Sequence, residues 1–251
     1  MNMKRRILLS GLIGMAFLLT SCLEEGSSNY DEVSVAYIAL DEIGQVYGRT
    51  LTGRLITSQE MQLMYPGSFQ FMRYSWTEEY GTTPMQMSGT EVLQADNIII
   101  MGSPVEIEQV PLLLNQEPPQ VETPDKFTAI DPPIYANDEI YLGDHWLFQY
   151  AYEAKDDDIA AVNFYYMEDP EVAENDITIV IGLTISEDPD DNSSVTSKSD
   201  IVALDMSYLR AMYEGNSETN TKDLQITFKY YLKGYDQMIE SQVYRMTVKG
   251  D

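Results

Sequence analysis

Asn115-Gln116-Glu117-Pro118-Pro119-Gln120-Val121-Glu122-Thr123-Pro124-Asp125-Lys126 divides the chain. Proline has no backbone N–H to give to a sheet ladder and favours extended, linker-like backbone. Residues 116–126 therefore read as a linker between two folded regions, 33–115 and 127–251. A second prolyl pair, Asp131-Pro132-Pro133, follows just inside the second region.

Outward from this stretch, both flanks carry strand patterns. Upstream, Val105-Glu106-Ile107-Glu108-Gln109-Val110 alternates apolar and polar, as a strand with one wet face does. Val92–Met101 predicts a strand with a bulge at Asp96-Asn97, and Phe69–Trp76 predicts another. Earlier still stand Val33–Leu40 and one strand over Val46–Thr57, with bends at Gly48 and Gly53. Ser58–Tyr65 reads as one or two helical turns stopped by Pro66-Gly67, and Thr77–Ser88 as loop. Downstream, strands are expected at Glu139–Leu142, Trp146–Ala154, Ala160–Met167, Ile177–Ser186, Ile201–Asp205, Leu224–Leu232 and Met238–Val248. Acidic turns separate them, and a short helix is expected from Asp205. Many short strands spaced by turns predict a sandwich, so the fold class is all-β.

Composition agrees and narrows the function. The chain has 251 residues, 18 of them Tyr, and a net charge of −26. Frequent aromatic and β-branched residues suit half-buried pleated surfaces. So acidic a body repels the phosphate backbone, which excludes DNA and RNA as partners.

The N-terminus supplies an address. Lys4-Arg5-Arg6 is followed by an apolar run, Ile7–Leu19, that is too short for the ~20 residues a transmembrane helix needs. Leu19-Thr20-Ser21-Cys22 then resembles the bacterial lipobox, in which the cysteine is acylated and becomes the new N-terminus. Residues 1–21 are thus expected to be a cleaved signal peptide, Cys22 the lipid attachment site, and 22–32 a tether. Acyl chains add about 0.8 kcal/mol of membrane affinity per buried CH₂, so several chains anchor stably. Cys22 is the sole cysteine, so the body has neither disulfide nor thiol once it is acylated. Leu23, where aspartate would retain an enteric lipoprotein, permits the outer membrane by resemblance to that sorting rule. Which face of that membrane the protein occupies stays open.

Ile130-Asp131-Pro132-Pro133-Ile134, the Trp146–Tyr152 strand and Ala203-Leu204-Asp205-Met206-Ser207-Tyr208-Leu209 resemble the NigD-like lipoproteins of Bacteroidetes. The last of these precedes paired strands around Thr227–Tyr231 and Tyr244–Val248. The resemblance implies an N-terminal OB-like β-barrel and a C-terminal immunoglobulin-like β-sandwich. It implies architecture more than activity, since fold alone does not fix function.

Most catalytic chemistry lacks its parts. His145 is the lone histidine, too few for an ordinary zinc site. A Ser-His-Asp triad could use only His145, and there is no Gly-x-Ser-x-Gly elbow or glycine-rich phosphate loop. With 41 acidic residues, paired carboxylates are too abundant to be informative. No cofactor is required; calcium is the one candidate, through Asp188, Asp190 and Asn192 at alternate positions, with Asp156-Asp157-Asp158 adding carboxylates if the loops meet. That loop lacks the usual glycine (Ser193) and closing glutamate (Ser199). Tyr150, Tyr152, Tyr165 and Tyr166, with Tyr230 and Tyr231, are ligand-binding candidates, because adjacent strand residues face opposite sides. The expected protein is non-catalytic and anchored in the cell envelope by N-terminal acyl chains. Its partner is a protein, in an immunity-type role, or alternatively a glycan stacked on tyrosines; a carboxylate-pair hydrolase is the third reading.

Overall fold

A computed structural model describes residues 29–87, 91–136, 139–166, 175–216 and 220–250. The expected signal peptide, Cys22 and most of the tether lie outside the described residues. The fold is all-β and its sheets are mixed, with parallel and antiparallel pairs. The chain forms two compact units: one runs to Glu108 and takes in Tyr141–Gly143, the other holds Gln109–Ile140 and Asp144–Asp251. The division falls at Glu108/Gln109, and residues 116–126 lie in the second unit.

The first unit uses β1 (Tyr30–Leu40), β2 (Val46–Thr50), β3 (Leu55–Thr57), β4 (Phe69–Trp76), β5 (Thr82–Gln86), β6 (Val92–Asn97) and the first part of β7 (Ile99–Leu114). The expected tether thus gives way to strand at Tyr30. β1 pairs antiparallel with β2 and with β4. β2 pairs antiparallel with β3, and β3 runs parallel to β6. Only Ile98 separates β6 from β7; its N–H donates to the Thr57 carbonyl at 2.9 Å. β7 returns antiparallel to β4. The ring β1–β2–β3–β6/β7–β4–β1 is therefore closed, the connectivity of an OB-type barrel. Ile38, Ile56, Met61, Met72 and Tyr74 fill it.

Two expectations fail here for identifiable reasons. Val46–Thr57 is two strands, because Gly53 (φ 88°) donates to the Thr50 carbonyl and closes a turn. Thr77–Ser88 contains strand β5, which pairs only with β6 and so tolerates Pro84 at a sheet edge. The helical turn expected within Ser58–Tyr65 is present, as a single 3₁₀ turn, Glu60–Leu63.

The second unit packs two sheets face to face. One contains β8 (Ala129–Ile130), β9 (His145–Ala154) and β12 (Thr196–Asp205), all antiparallel. The other contains the end of β7, β10 (Ile159–Tyr166), β11 (Asp176–Ser186), β13 (Thr221–Tyr230), β14 (Ile239–Glu240) and β15 (Tyr244–Lys249). Alternation aims Ile177, Ile179, Ile181 and Leu183 of β11 inward, against Trp146, Phe148 and Leu204 of the facing sheet. Phe148 meets Phe164 and Phe228 at ring centroids 5.0 and 4.9 Å apart.

Between the strands, Glu139–Leu142 is a helical turn, α1, and not the expected strand. Gly143 and Asp144 both take left-handed backbone (φ 57° and 60°), the ordinary way to end a helix and not a strand. The expected helix after Asp205 is α2 (Ser207–Tyr213). Its Arg210 is buried: Nε donates to both Asp144 carboxylate oxygens at 2.7 and 2.8 Å, and Nη1 to the Thr247 carbonyl at 2.8 Å.

Candidate functional site

The second unit opens along one side, where the edges of its two sheets part. The segment 128–134 lies along β9, with the Thr128, Asp131 and Ile134 N–H groups donating to Ala151, Gln149 and Leu147 carbonyls. Pro132 and Pro133 have no N–H, so they interrupt the ladder until Ile134 resumes it opposite Leu147. Opposite stands the break between β14 and β15, Ser241–Val243. It is pinned by Ser241, whose N–H donates to the Phe228 carbonyl (2.8 Å) while its Oγ accepts from the Phe228 N–H (3.0 Å).

Between these edges is a groove of about 280 Å³. Phe148, Ile181 and Phe228 form its floor, Tyr230 and Tyr244 its aromatic wall, and Asp131, Glu240 and Gln242 its polar rim. Burial pushes the Tyr230 and Tyr244 hydroxyls up from the ordinary phenol range, so both remain neutral donors near pH 7. Glu240 is ion-paired with Lys229 at 2.8 Å. Beside the groove, Tyr135 stacks on Trp146 at 4.1 Å and meets Tyr244 edge-on at 6.2 Å. This arrangement can hold a flat or ring-shaped group and hydrogen-bond its edge.

The sequence candidates fare unevenly. Tyr150, Tyr152, Tyr165 and Tyr166 are all buried, which corrects their reading as a ligand face. Tyr150, Tyr152 and Tyr166 belong to the sandwich core, and the ring of Tyr165 covers Gly182. Tyr166 shares a hydrogen bond of 2.7 Å with the Tyr213 hydroxyl of α2. Of the six tyrosines singled out, Tyr230 alone lines the groove. Tyr244, expected only within a paired strand, joins it there, and its place beside the break at Gln242 is the available signal.

The acidic loops do meet. The Asp157 N–H donates to Asp191 Oδ2 (2.9 Å), the Asp188 N–H to Asp158 Oδ1 (3.0 Å), and the Asp156 N–H to Ser193 Oγ (2.9 Å). Backbone donors hold the Asp158 and Asp191 carboxyls below the usual carboxylate range. Lys198 donates to the Lys155 and Asp156 carbonyls, and Lys155 to the Asp191 carbonyl. Of the proposed calcium ligands, Asp188 Oδ1 accepts from the Asp190 N–H and the Asn192 amide donates to the Asp190 carbonyl. Among the described residues, no three His, Cys, Asp or Glu are grouped to hold a metal ion. His145 opens β9 in register with Asp205.

No family model matches the chain, and no curated protein matches it. Solved structures do. An uncharacterised protein from Parabacteroides merdae ATCC 43184 is 11% identical, with 86% of this chain and 98% of that one covered and a TM-score of 0.56. A protein from Bacteroides fragilis NCTC 9343, described provisionally as a lipoprotein, is 11% identical over 88% and 99% of the two chains, with a TM-score of 0.52. A NigD-like immunity protein from Bacteroides caccae ATCC 43185 overlaps more loosely: 11% identity, 86% and 96% coverage, TM-score 0.47. At such identities the likeness is one of fold.

Proposed function

We propose that this chain is a non-catalytic, lipid-anchored binding protein of the bacterial cell envelope, acting by contact with another protein in an immunity-type role. The observation that carries the reading is how its acidic groups are used. Among the described residues, each carboxyl with a displaced titration (Asp31, Asp158, Asp191) is held ionised by an arginine or by backbone donors. A glycosidase needs the opposite, a carboxyl raised until it can give up a proton. The acylation motif at Cys22 and the description of the Bacteroides fragilis neighbour support the anchor, and Leu23 permits the outer membrane as its site.

Intact mass spectrometry of the protein from its native membranes tests the anchor. The expected mass is that of residues 22–251 plus acyl chains, and Cys22→Ser should release the protein from the membrane fraction. An unacylated soluble species in the wild type would refute it.

The groove supports a second reading, a glycan-binding lipoprotein. Tyr230 and Tyr244 offer an aromatic wall and Asp131 and Gln242 hydrogen-bonding groups, the combination sugar rings use. A glycan array on the intact chain decides it, with Tyr230→Ser as the control that should abolish any signal.

A further inference from the structure

Leu63 and Tyr65 are 90% and 82% exposed, the two most exposed large apolar side chains among the described residues. They are not isolated. The 3₁₀ turn Glu60–Leu63 is clamped to β2, with the Gln62 amide donating to the Val46 carbonyl (3.0 Å) and its Oε1 accepting from the Val46 N–H (3.2 Å). The next turn is tied to β1, the Gly67 N–H donating to the Ile38 carbonyl at 2.7 Å. These bonds fix the segment that carries Leu63 and Tyr65 at the end of the barrel where Leu40, paired with Val46, closes β1 and Ile43 tips the β1–β2 turn. Leu40 and Ile43 are themselves 49% and 59% exposed. Asp41 braces that turn, accepting from the Ile43, Gln45 and Gln86 N–H groups.

Folding does not require these four side chains to be apolar. Met61 and Met64 plug the same segment into the barrel core, and Leu63 and Tyr65 point away from it. Single exposed apolar residues are ordinary, but a cluster of large ones rimmed by charge marks a contact surface. The rim here has one sign: within residues 38–48 and 57–72 the exposed charged side chains are Glu42 and Glu60, Asp41 is buried in its turn, and there is no lysine or arginine.

We propose that this end of the barrel is a docking face for a basic protein that presents apolar side chains within a lysine- or arginine-rich rim. The proposal rests on the binding role given above and names the surface that serves it. The charge selects the occupant. A second copy brings another −26 and another acidic rim, and an anionic lipid surface is repelled in the same way.

The test uses the full acylated chain in phosphatidylcholine nanodiscs, with empty discs as blank. The probes are fluorescent seven-residue peptides of alternating lysine and phenylalanine, or glutamate and phenylalanine, read by anisotropy at low and high salt. The lysine peptide is expected to bind, to weaken with salt, and to bind at least tenfold less well to the Leu63→Ser, Tyr65→Ser double variant; the glutamate peptide is expected not to bind. Both replaced side chains are exposed, so an unchanged melting temperature verifies the fold, and Leu63→Gln, Tyr65→Gln repeats the test if the serines disturb it. Equal binding to wild type and variants overturns the proposal, as does equal binding of the glutamate peptide or no binding at all. Self-association abolished by the variants assigns the face to a second copy, and binding to empty discs assigns it to lipid; either overturns it. Mass spectrometry of the same sample reads acylation, so failure of the anchor and failure of the docking face are told apart.

Discussion

Replacing Arg210 with methionine should be among the most damaging single changes available to the second unit. The guanidinium and the Asp144 carboxylate expose only 9% and 11% of their side chains, and Nη1 also serves the Thr247 carbonyl on β15. Methionine preserves much of the volume but leaves the Asp144 charge desolvated and unpaired. Breaking such a pair costs about 3–5 kcal/mol, a large share of the 5–15 kcal/mol that holds a typical domain together. With a urea m-value of about 2 kcal/mol/M, the midpoint of that unit's transition should fall by roughly 2 M. Adding Asp144→Asn removes the orphaned charge while keeping a residue type that tolerates the left-handed backbone at that position (φ 60°). The double variant should therefore recover part of the loss. Equilibrium urea denaturation followed by tryptophan fluorescence checks this, since Trp146 lies in the same core. A cost below about 1 kcal/mol for Arg210→Met, or a double variant worse than the sum of the singles, would refute the reasoning.

Acid should unfold the chain progressively. Arg73 holds the Asp31 carboxyl down, and backbone donors hold those of Asp158 and Asp191 down. Depressed folded values contribute stability above about pH 4 that is lost as pH falls through them, so urea midpoints measured from pH 7 to pH 2 should decline. Tyr230 and Tyr244 act on the other flank: their raised values contribute stability below about pH 10 that is lost as pH rises through the folded values. Absorbance at 295 nm should show these two ionising after the exposed tyrosines. Gly48→Val should cost about 1–3 kcal/mol, because even a Cβ there lies 2.8 Å from Met61 Cε and 3.0 Å from Ile56 Cγ1; a thermal melt reads the loss. EDTA should leave the melting temperature unchanged, since backbone donors and Lys155 and Lys198 already satisfy the acidic loops; a fall of several degrees would revive the calcium reading.

The strands were legible wherever alternation met a β-rich composition. Phe69–Trp76 is found with the expected bounds, and the break at Ile98 stands one residue from the bulge expected at Asp96-Asn97. That break could be seen, but its consequence could not. Local pattern says that a strand bends; only pairing shows that the bent strand touches β3 on one side and β4 on the other and so closes the ring. The opposite failure occurred at Glu139–Leu142. Four residues are too few to display either a period of two or one of 3.6, and the consecutive left-handed residues after them decided the matter.

The site was legible in the stretches that line it and not in which tyrosines reach it. Ile130–Pro133, Phe148, Phe228 and Tyr244 all lay in stretches that carried the resemblance, and the fold brings them together around one groove. The tyrosines were misplaced because alternation gives a side chain its face and says nothing of what covers that face. Tyr165 and Tyr166 do point to opposite sides of β10. Tyr166 enters the sandwich, but Tyr165 is covered as well and exposes only 8% of its surface. Tyr230 differs because it ends β13 beside the two-residue β14, so it stays half-buried: Phe127 meets its ring edge-on at 6.2 Å and the rest of the ring lines the groove. A tyrosine beside a truncated edge strand is therefore the better sequence signal for an accessible aromatic than a tyrosine pair within a long strand. By that rule Tyr230→Ser should change ligand contact while Tyr165→Ser changes stability, and a reversal of those two outcomes would count against the groove as the binding site.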